Sequence, residues 1–550
     1  MNFKRVISMG MGCALLLSHL ALAQVPYERI LNAADEPHNW LTYNGGYLSQ
    51  RHSLLDQITP DNVQDLQLQW MLPNQVFGAW QSNPIVVDGV MYITQRPNDV
   101  LAVDAVTGRV FWVYKHTNAE NARVCCGANN RGVAVLGDKV FMGTLDAHLV
   151  ALDRINGKPL WQVAVGDVNL AYSVTMAPLV VKDKVIVGVG GGEYGIRGFV
   201  VAYDAETGEE AWKFYTIPGP GEPNHDTWDP DDWQYGGAPV WITGSFDPEL
   251  NLTYWGVGNP GPDWNAEQRP GDNLYSDSVV ALDADTGELR WHFQFTPNDG
   301  YDYDAVQVPV LVDRQWQGQA RKLMLWANRN GYFYVLDRTN GQFLLGKPYV
   351  KVNWSSGLDA NGRPIPTPQP EGMPTWPGNQ GGTNWYPPSY SPSTGLFYFS
   401  SWEDYATIYR AEEQEYEPGR AFLGGGFSVL APAQGAPTVG IGRTNPINTW
   451  TDEVGHAALQ AIDPDTGEAV WKYEQFDVTD SGMLTTASDL LFTGGREGHL
   501  HALHARTGEL LWRVALGGQI AMAPVTYMVD GKQYVTVNAG NTMVTFALRN

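Results

Sequence analysis

Four oxygen-bearing side chains lie just after or just before strand-like segments and are of the types that bind a hard cation. They are Glu193 after VIVGVGGG, Asn259 within WGVGNPGP, and Asp302 and Asp304 within YDYD. On an extended segment Asp302 and Asp304 point to the same face, where two carboxylates repel each other unless a cation lies between them. Carboxylate and amide oxygens are the ligands that hard metal ions prefer. A cation site is one interpretation of this set, and an ordinary surface carboxylate pair is the other.

Two adjacent cysteines, Cys125 and Cys126, form a second unusual feature. The only other cysteine of the chain is Cys13. Consecutive Cα atoms lie ~3.8 Å apart, whereas most disulfides join Cα atoms about 4.4–6.8 Å apart. A bridge between neighbours also closes too short a loop to stabilise a fold by restricting the unfolded chain. The pair is therefore either two unconnected thiols or a local platform that contacts a ligand.

A repeat predicts how these side chains are positioned. An apolar strand, an Asp, a Thr-Gly or Asn-Gly pair and a Trp recur, ending at Trp112, Trp161, Trp212, Trp291 and Trp471. A last copy, with His504 in place of the Asp, ends at Trp512. The Asp accepts hydrogen bonds from the turn backbone and the Gly supplies a positive φ. We predict an all-β, eight-bladed β-propeller whose tryptophans pack between neighbouring sheets and have no catalytic role. Seven or six blades with long insertions are the competing counts. In such a ring, residues from several blades meet at the central mouth.

The ends and the charge limit the class of protein. MNFKR is followed by an apolar stretch that ends in Ala21-Leu22-Ala23, which is typical of a secretory signal peptide. We therefore predict a signal peptide over 1–23 and a single propeller domain over 24–550, with no membrane span. The net charge of -24 disfavours nucleic acid and anionic membranes as partners. This charge is compatible with electrostatic attraction of a basic protein partner, and equally with an acidic surface that is only solvated.

Several motifs together resemble one enzyme family across nearly the whole chain after residue 23. They include CCGANNRG, VGVGGGEYGIRG, WGVGNPGP, YDYD, ANRNGYFYVLDRTNG and GGTNWYPPSYSP, together with the repeated D-x-x-TG-x-x-x-W. The chain resembles the quinoprotein alcohol dehydrogenases, which are eight-bladed propellers that use pyrroloquinoline quinone (PQQ). The lanthanide-type methanol and ethanol dehydrogenases are the branch that it resembles.

The resemblance assigns roles to individual residues. It implies that Cys125 and Cys126 form a disulfide against one face of the quinone and that Trp241 stacks on the other face. Asp302 matches the catalytic base, and Arg329 matches the basic residue at the reactive quinone carbonyls. The remaining cofactor-binding positions that it implies are Gln81, Arg131, Thr175, Gly190, Gly191, Gly192 and Asn384. The metal ligands that it implies are Glu193, Asn259, Asp302 and Asp304.

Two positions depart from the family pattern, and one bears on the metal. Gln81 stands where many members have Glu, so a charged contact becomes a neutral amide. Gly190 stands where Ser is common. Asp304 stands two residues after the base, where calcium-using relatives carry a small residue and lanthanide-using relatives carry Asp. The resemblance therefore favours a lanthanide over Ca²⁺.

The resemblance also implies a reaction and its partners. We expect a periplasmic enzyme that oxidises primary or secondary alcohols to aldehydes or ketones by hydride transfer to PQQ. The chain has no C-x-x-C-H haem-attachment motif, so a separate soluble cytochrome c is the expected electron acceptor. The oligomeric state is left open, a homodimer included. The alternatives are a quinoprotein that oxidises sugars or aldehydes and a non-enzymatic propeller scaffold.

Three further segments carry expectations. The long insertion 401–442 is predicted to cover the site. Thr479 and Asp480 stand near a position where methanol-specialised relatives carry a Trp, which favours a wider mouth and larger alcohols, unless nearby aromatic side chains fill the space. His499, His501 and His504 alternate near the end of the chain; we interpret them as a strand with a degraded repeat rather than as a metal site.

Overall fold

The chain folds into eight sheets arranged as the blades of a propeller, as seen in a computed structural model. The structure describes residues 24–429, 456–475 and 478–549, apart from Gln75, Phe77, Ala79, Pro230 and Glu371. The predicted signal peptide lies outside the described residues. The eight-bladed count from the repeat is confirmed.

Two strands precede the first complete blade, and four blades then follow along the chain. The early strands are β1 (His52–Ser53) and β2 (Leu66–Pro73). The first blade contains β3 (Ile85–Val87), β4 (Val90–Gln95), β5 (Asp99–Asp104) and β6 (Val110–Lys115). The second contains β7 (Ala134–Leu136), β8 (Lys139–Gly143), β9 (His148–Asp153) and β10 (Pro159–Ala164). The third contains β11 (Leu179–Val181), β12 (Lys184–Gly188), β13 (Phe199–Asp204) and β14 (Glu210–Tyr215). The fourth contains β15 (Ser245–Asp247), β16 (Leu252–Gly256), β17 (Ser278–Asp283) and β18 (Leu289–Gln294).

The fifth and sixth blades carry the insertions. The fifth contains β19 (Val310–Trp316), β20 (Gln319–Ala327), β21 (Tyr332–Asp337) and β22 (Gln342–Pro348), and the small hairpin β23 (Ser355–Leu358) and β24 (Pro364–Pro366) follows it. The sixth contains β25 (Ser389–Ser391), β26 (Leu396–Glu403), β29 (His456–Ile462) and β30 (Ala469–Gln475). Between β26 and β29 lies a second hairpin, β27 (Thr407–Ala411) and β28 (Gly425–Val429).

The last two blades combine both ends of the chain. The seventh contains β31 (Leu484–Thr486), β32 (Leu490–Thr493), β33 (His499–His504) and β34 (Leu510–Ala515), with β1 parallel to β31. The eighth contains β35 (Val525–Val529), β36 (Lys532–Ala539) and β37 (Thr542–Leu548), and β2 supplies its fourth strand by pairing with β37. The early strand β2 thereby closes the ring, because it joins the N-terminal part of the chain to the last blade by hydrogen bonds.

Helical structure is confined to short segments. There is one helix, α1 (Tyr27–Leu31), and six single 3₁₀ turns in the described residues: Ala33–Asp35, Val63–Asp65, Val168–Leu170, Gly192–Tyr194, His225–Thr227 and Ala266–Gln268. Among the described residues, no helix has the length and apolar character that a membrane crossing needs.

The repeat tryptophans connect neighbouring blades. The indole N–H of Trp112 donates to the Arg154 carbonyl of the next blade (3.2 Å), and its ring covers Gly157 of that blade's turn, where a Cβ would lie 2.4 Å from the ring. The same contact recurs at four other tryptophans, whose indole N–H donates to a backbone carbonyl in the turn of the next blade. They are Trp161, Trp212, Trp291 and Trp471. The glycine is therefore required by the neighbouring indole as well as by its own positive φ.

The histidines near the end of the chain lie where the repeat predicts them. His499, His501 and His504 belong to β33. His504 Nδ1 accepts a hydrogen bond from the backbone N–H of Arg506 (3.2 Å). In the first blade, Asp104 Oδ1 accepts the equivalent bond from the backbone N–H of Val106 (2.9 Å). His504 thus takes the structural place of the repeat Asp.

Candidate active site

The residues singled out by sequence converge at one end of the propeller for a topological reason. Strands alternate in direction within each blade, so loops that enter a blade and loops between its second and third strands emerge at the same end. The segments around Cys125, Thr175 and Trp241 enter the second, third and fourth blades, whereas Glu193 and Arg329 lie between second and third strands. Loops from several blades thus meet over the axis.

These loops surround a cavity that contains about 630 Å³ of space free of protein atoms, part of it open to solvent. Most of the predicted site residues line it. The lining residues are Cys125, Cys126, Gly127, Asn129, Arg131, Ser173, Thr175, Gly190, Gly191, Glu193, Pro239, Trp241, Asp302, Asp304, Arg329 and Gln380.

The adjacent cysteines form a disulfide in the wall of this cavity. Cys126 has a φ of 63°, so the pair sits in a tight turn. The side-chain amide of Asn129 donates to the Cys126 carbonyl (2.9 Å), and Arg96 donates to the Ala128 carbonyl (3.0 Å). The loop is held by these bonds, and the bridge presents both sulfurs as part of the cavity surface.

Arg131 supplies positive charge among the aromatic rings. Its guanidinium lies 4.9 Å from the Trp241 ring centroid and 4.8 Å from that of Trp385. It also donates to the Thr175 hydroxyl (3.0 Å). A cation fixed in this way beside a planar aromatic wall suits an aromatic ligand that carries carboxylates.

Arg329 joins the two aspartates of YDYD. It donates to Asp304 Oδ2 (2.7 Å) and Asp302 Oδ2 (2.8 Å), and it also bonds to the Asn379 carbonyl. Burial lowers the pKa of Arg329, but the charges of Asp302, Asp304 and Asp299 outweigh burial, so the net pKa is raised. Arg329 therefore stays protonated at the cavity wall.

Asp302 lies in the cavity wall with 20% of its side chain exposed. Its φ is 62°, in the left-handed region. Burial raises its pKa well above the ordinary value; Arg329 opposes this shift, whereas Asp304, Asp263 and Glu193 add to it. Asp302 is thus a carboxylate whose proton affinity is increased.

The carboxylates of the site fit a cation by charge. Glu193, Asp302 and Asp304 line one cavity with Arg329 as the guanidinium between the two aspartates. The Asn259 backbone N–H donates to Asp304 Oδ1 (2.9 Å), which brings the fourth predicted ligand to the same place. A multivalent cation would relieve the repulsion among these carboxylates.

The predicted ligand carboxylates do not form one close group among the described residues. The Glu193 carboxylate forms a group with the sulfurs of Cys125 and Cys126, all within 4.8 Å. In the part of the chain that the structure describes, Glu193, Asp302 and Asp304 do not form such a group of their own.

Four predicted residues lie outside the cavity lining. Gln81 is buried with its Oε1 lacking a hydrogen-bond partner. Gly192 packs on Pro239, whose Cγ would lie 2.9 Å from an added Cβ. Asn259 contacts Asp304, and the Asn384 amide donates to the carbonyl of Gln380 (3.1 Å), itself a lining residue.

Sequence reasoning missed Asp263, Asn379 and Gln380. Asp263 directly follows the WGVGNPGP motif and is buried, so its place in that motif was an available signal. Asn379 and Gln380 precede GGTNW, and their roles depend on the path of the loop, which the sequence pattern does not give.

The described part of the predicted covering insertion reaches the site, while 430–442 lies outside the described residues. The Phe422 backbone N–H donates to the Glu193 carbonyl (2.7 Å), and Arg123 of the cysteine loop bonds to the Gly419 carbonyl. Tyr409 donates to the Tyr301 carbonyl (3.1 Å). Residues 401–429 thus pack against the loops that carry the disulfide, the glutamate and YDYD.

The position expected to widen the mouth is occupied by a polar cluster. Asp480 forms an ion pair with Arg496 (3.2 Å) and accepts from the Gln519 amide (2.6 Å). The Arg496 guanidinium lies 5.3 Å from the Trp402 ring centroid, and Thr479 donates to the Gly494 carbonyl (3.2 Å). These side chains are buried.

Comparisons with known proteins agree with this geometry. The sequence profile described as PQQ, glucose/ethanol/alcohol dehydrogenase, beta-propeller domain, matches residues 40–356 and 355–535. Quinoprotein alcohol dehydrogenase PedH of Pseudomonas putida is 40% identical over 560 residues, which cover 96% of this chain and 90% of PedH.

Two solved structures are similar over nearly the whole chain. Quinohemoprotein alcohol dehydrogenase ADHIIG from Pseudomonas putida HK5 superposes with a TM-score of 0.89 at 37% identity, covering 96% of this chain and 82% of that one. A europium-containing methanol dehydrogenase superposes with a TM-score of 0.85 at 32% identity, covering 95% of this chain and 100% of that one.

Proposed function

The chain belongs to the family of PQQ-dependent quinoprotein alcohol dehydrogenases, and from this premise we propose that it oxidises primary or secondary alcohols in the cavity between Trp241 and the Cys125–Cys126 disulfide. The observation that carries the proposal is the shared cavity itself. Four separate loops form the lining of this one cavity. They carry Trp241, the Cys125–Cys126 disulfide, Arg329 and the YDYD aspartates.

The donor set supports PQQ as the ligand of this cavity. Trp241 and the disulfide offer surfaces for a flat ring, while Arg131 and Thr175 offer donors for its carboxylates. Gly190 and Gly191 leave the wall without side chains, and at Gly191 a Cβ would lie 2.5 Å from the Ala171 carbonyl oxygen. We assign Gln81, Gly192 and Asn384 to the layer directly behind this wall.

When bound, PQQ supplies the electrophilic quinone carbon that accepts a hydride, and the cation supplies Lewis-acid polarisation. The protein's own part is to position and deprotonate the alcohol. Asp302 accepts the hydroxyl proton as general base. Arg329 holds Asp302 Oδ2 at 2.8 Å and directs a fixed positive charge toward oxygen that becomes negative in the reaction.

The cation is held by Glu193, Asn259, Asp302 and Asp304 in this proposal, and we favour a lanthanide over Ca²⁺. Asp304 adds a carboxylate beyond the other three ligands, and a trivalent ion is better neutralised by that additional charge. The similarity to a europium-containing methanol dehydrogenase supports this choice.

Substrate, acceptor and location complete the proposal. Thr479 and Asp480 stand near a position where methanol-specialised relatives carry a Trp, and this difference supports alcohols larger than methanol. A separate soluble cytochrome c accepts the electrons. The first 23 residues direct the protein to the periplasm. Sugar or aldehyde oxidation and a scaffold role are the outcomes against which these assignments are tested.

Reconstitution tests the function. Metal-free protein is mixed with PQQ and either La³⁺ or Ca²⁺, and the oxidation of an alcohol series is followed with an artificial dye acceptor. We expect PQQ-dependent turnover of ethanol and longer alcohols, faster with La³⁺. Turnover of sugars or aldehydes only would contradict the substrate class, equal rates with both ions would contradict the metal choice, and no turnover with any substrate would contradict the enzyme assignment.

A further inference from the structure

Asp263 is a buried carboxylate that has no role in the reaction as described so far. It lies in the loop between β16 and β17, four residues after Asn259, and only 3% of it is exposed. Its Oδ1 has no hydrogen-bond partner. A buried carboxylate oxygen without a donor costs free energy unless a positive charge lies nearby.

The position of Asp263 is fixed by the backbone on both sides. The Gly261 N–H donates to the Gly236 carbonyl (2.8 Å), and the Trp264 N–H donates to the Leu423 carbonyl (2.9 Å). The segment therefore connects the loop that enters the fourth blade with the insertion of the sixth. Such a doubly anchored loop holds the carboxylate in place rather than leaving it to turn toward solvent.

The charges around Asp263 are mostly negative. Burial raises its pKa well above the ordinary value and the charges of Glu193 and Asp304 raise it further, whereas a hydrogen bond with the Asn259 side chain lowers it. Arg269 is the opposing cation, but its guanidinium donates to the Pro262 carbonyl (3.1 Å) and to Asn273 (3.0 Å). Leu423, which anchors the residue after Asp263, directly follows Phe422, whose backbone N–H donates to the Glu193 carbonyl (2.7 Å). The buried Asp263 carboxylate therefore lies in the layer that packs against the Glu193 loop.

We propose that Asp263 is a further carboxylate of the cation site, added to Glu193, Asp302 and Asp304, and that its charge favours a trivalent over a divalent ion. This inference rests on the proposed function. Four ionised carboxylates beside the guanidinium of Arg329 leave three negative charges, which a trivalent ion neutralises. The attraction between Asp263 and the ion scales with the ionic charge, so its removal weakens La³⁺ binding more than Ca²⁺ binding.

The test measures metal binding rather than activity. Calorimetric titration of the metal-free full-length chain, with PQQ present, gives the affinities for La³⁺ and Ca²⁺. For Asp263→Asn we expect La³⁺ affinity to fall at least about tenfold, with a smaller loss for Ca²⁺. Asp263→Ser serves as a second neutral variant, with folding checked by circular dichroism. Glu267→Gln, an exposed carboxylate of the same loop, is the matched control and should bind both ions as wild type does.

The outcomes separate this inference from the function on which it rests. If both neutral variants bind La³⁺ within twofold of wild type while Asp304→Ala does not, the role of Asp263 is wrong and the cation site remains. An equal fold-loss for both ions would overturn the trivalent preference. If the wild-type chain binds neither ion, the proposed function itself fails, and this inference with it.

Discussion

At the scale of single residues, the proposed chemistry depends on Arg329 and the two aspartates that it contacts. The YDYD spacing indicated two carboxylates on one face, and both accept from the same guanidinium. The sequence pattern did not indicate that Asp302 has a φ of 62°, because non-glycine residues rarely adopt this region.

Replacement of Asp302 by Asn should remove the base while preserving the shape of the side chain. We expect kcat to fall about 10³-fold, within the range typical of general-base removal. Steady-state oxidation of ethanol with a dye acceptor gives kcat, and the absorbance of bound PQQ reports whether the cofactor is retained. A variant that keeps PQQ and turns over within tenfold of wild type would exclude Asp302 as the base.

Cation binding should depend on pH through the same carboxylates. Burial raises the pKa of Asp302 and of Asp263 above their values in the unfolded chain. Because the folded-state pKa is raised, the protonated carboxyl groups stabilise the folded protein. This contribution is fully present below the unfolded-state pKa of about 4 and is lost as pH rises through the folded-state pKa. The metal-free protein thus carries uncompensated repulsion at neutral pH, which a cation removes.

We therefore expect La³⁺ to raise the Tm of the metal-free protein more at pH 7.5 than at pH 5, where protons compete with the ion. Differential scanning fluorimetry at both pH values measures the two shifts. A larger shift at pH 5 would show that these carboxylates do not bind the ion.

At the scale of elements, the repeat predicted the blades because it records a local turn and one contact with a neighbour. Trp70 and Trp316 make the same kind of bond, to the Ala105 and Pro464 carbonyls, but were not identified. Trp70 lies in β2, far in sequence from the rest of its blade, and Trp316 ends an innermost strand, so neither follows a recognisable Asp and Thr-Gly turn. A pattern read along the chain cannot detect partners supplied by distant strands.

Loss of one docking indole should destabilise the propeller measurably. Trp212 is buried, donates to the Ala284 carbonyl (3.1 Å) and covers Gly287. We expect Trp212→Phe to cost about 1–3 kcal/mol, because it leaves a buried carbonyl without its donor. Urea unfolding followed by tryptophan fluorescence gives the midpoint.

Trp512→Phe is the control for this measurement. Trp512 packs edge-on against Phe546 (ring centroids 5.6 Å apart) and belongs to a repeat whose Asp is replaced by His504. We expect a smaller loss there. Equal destabilisation by the two substitutions would contradict the docking role of the indole N–H.

The loops were harder to predict than the blades. Motifs identified Glu193, Asp302 and Arg329, and all three line the cavity. The exact wall depends on the path of each loop, so Gln380 entered it unexpectedly and Asn384 lies behind it. Hydrophobic periodicity carries no information about such paths.

At the scale of the whole molecule, the net charge of -24 bears on the electron acceptor. An acidic surface attracts a basic protein over a distance set by ionic strength, with a Debye length of about 10 Å at 0.1 M salt. We expect kcat/KM for a basic cytochrome c to fall severalfold between about 20 and 200 mM salt, while turnover with an uncharged dye changes little. Stopped-flow reduction of the cytochrome measures this, and a rate independent of salt would refute electrostatic steering.

Loops from several blades form one cavity, and this cavity is where we propose that PQQ and the cation bind. A crystal structure of the protein loaded with PQQ and La³⁺ tests this central claim most directly. We predict the quinone ring between the Trp241 indole and the Cys125–Cys126 disulfide, with the ion bound by Glu193, Asn259, Asp302 and Asp304. PQQ bound elsewhere on the protein, or an ion held without these residues, would contradict the account.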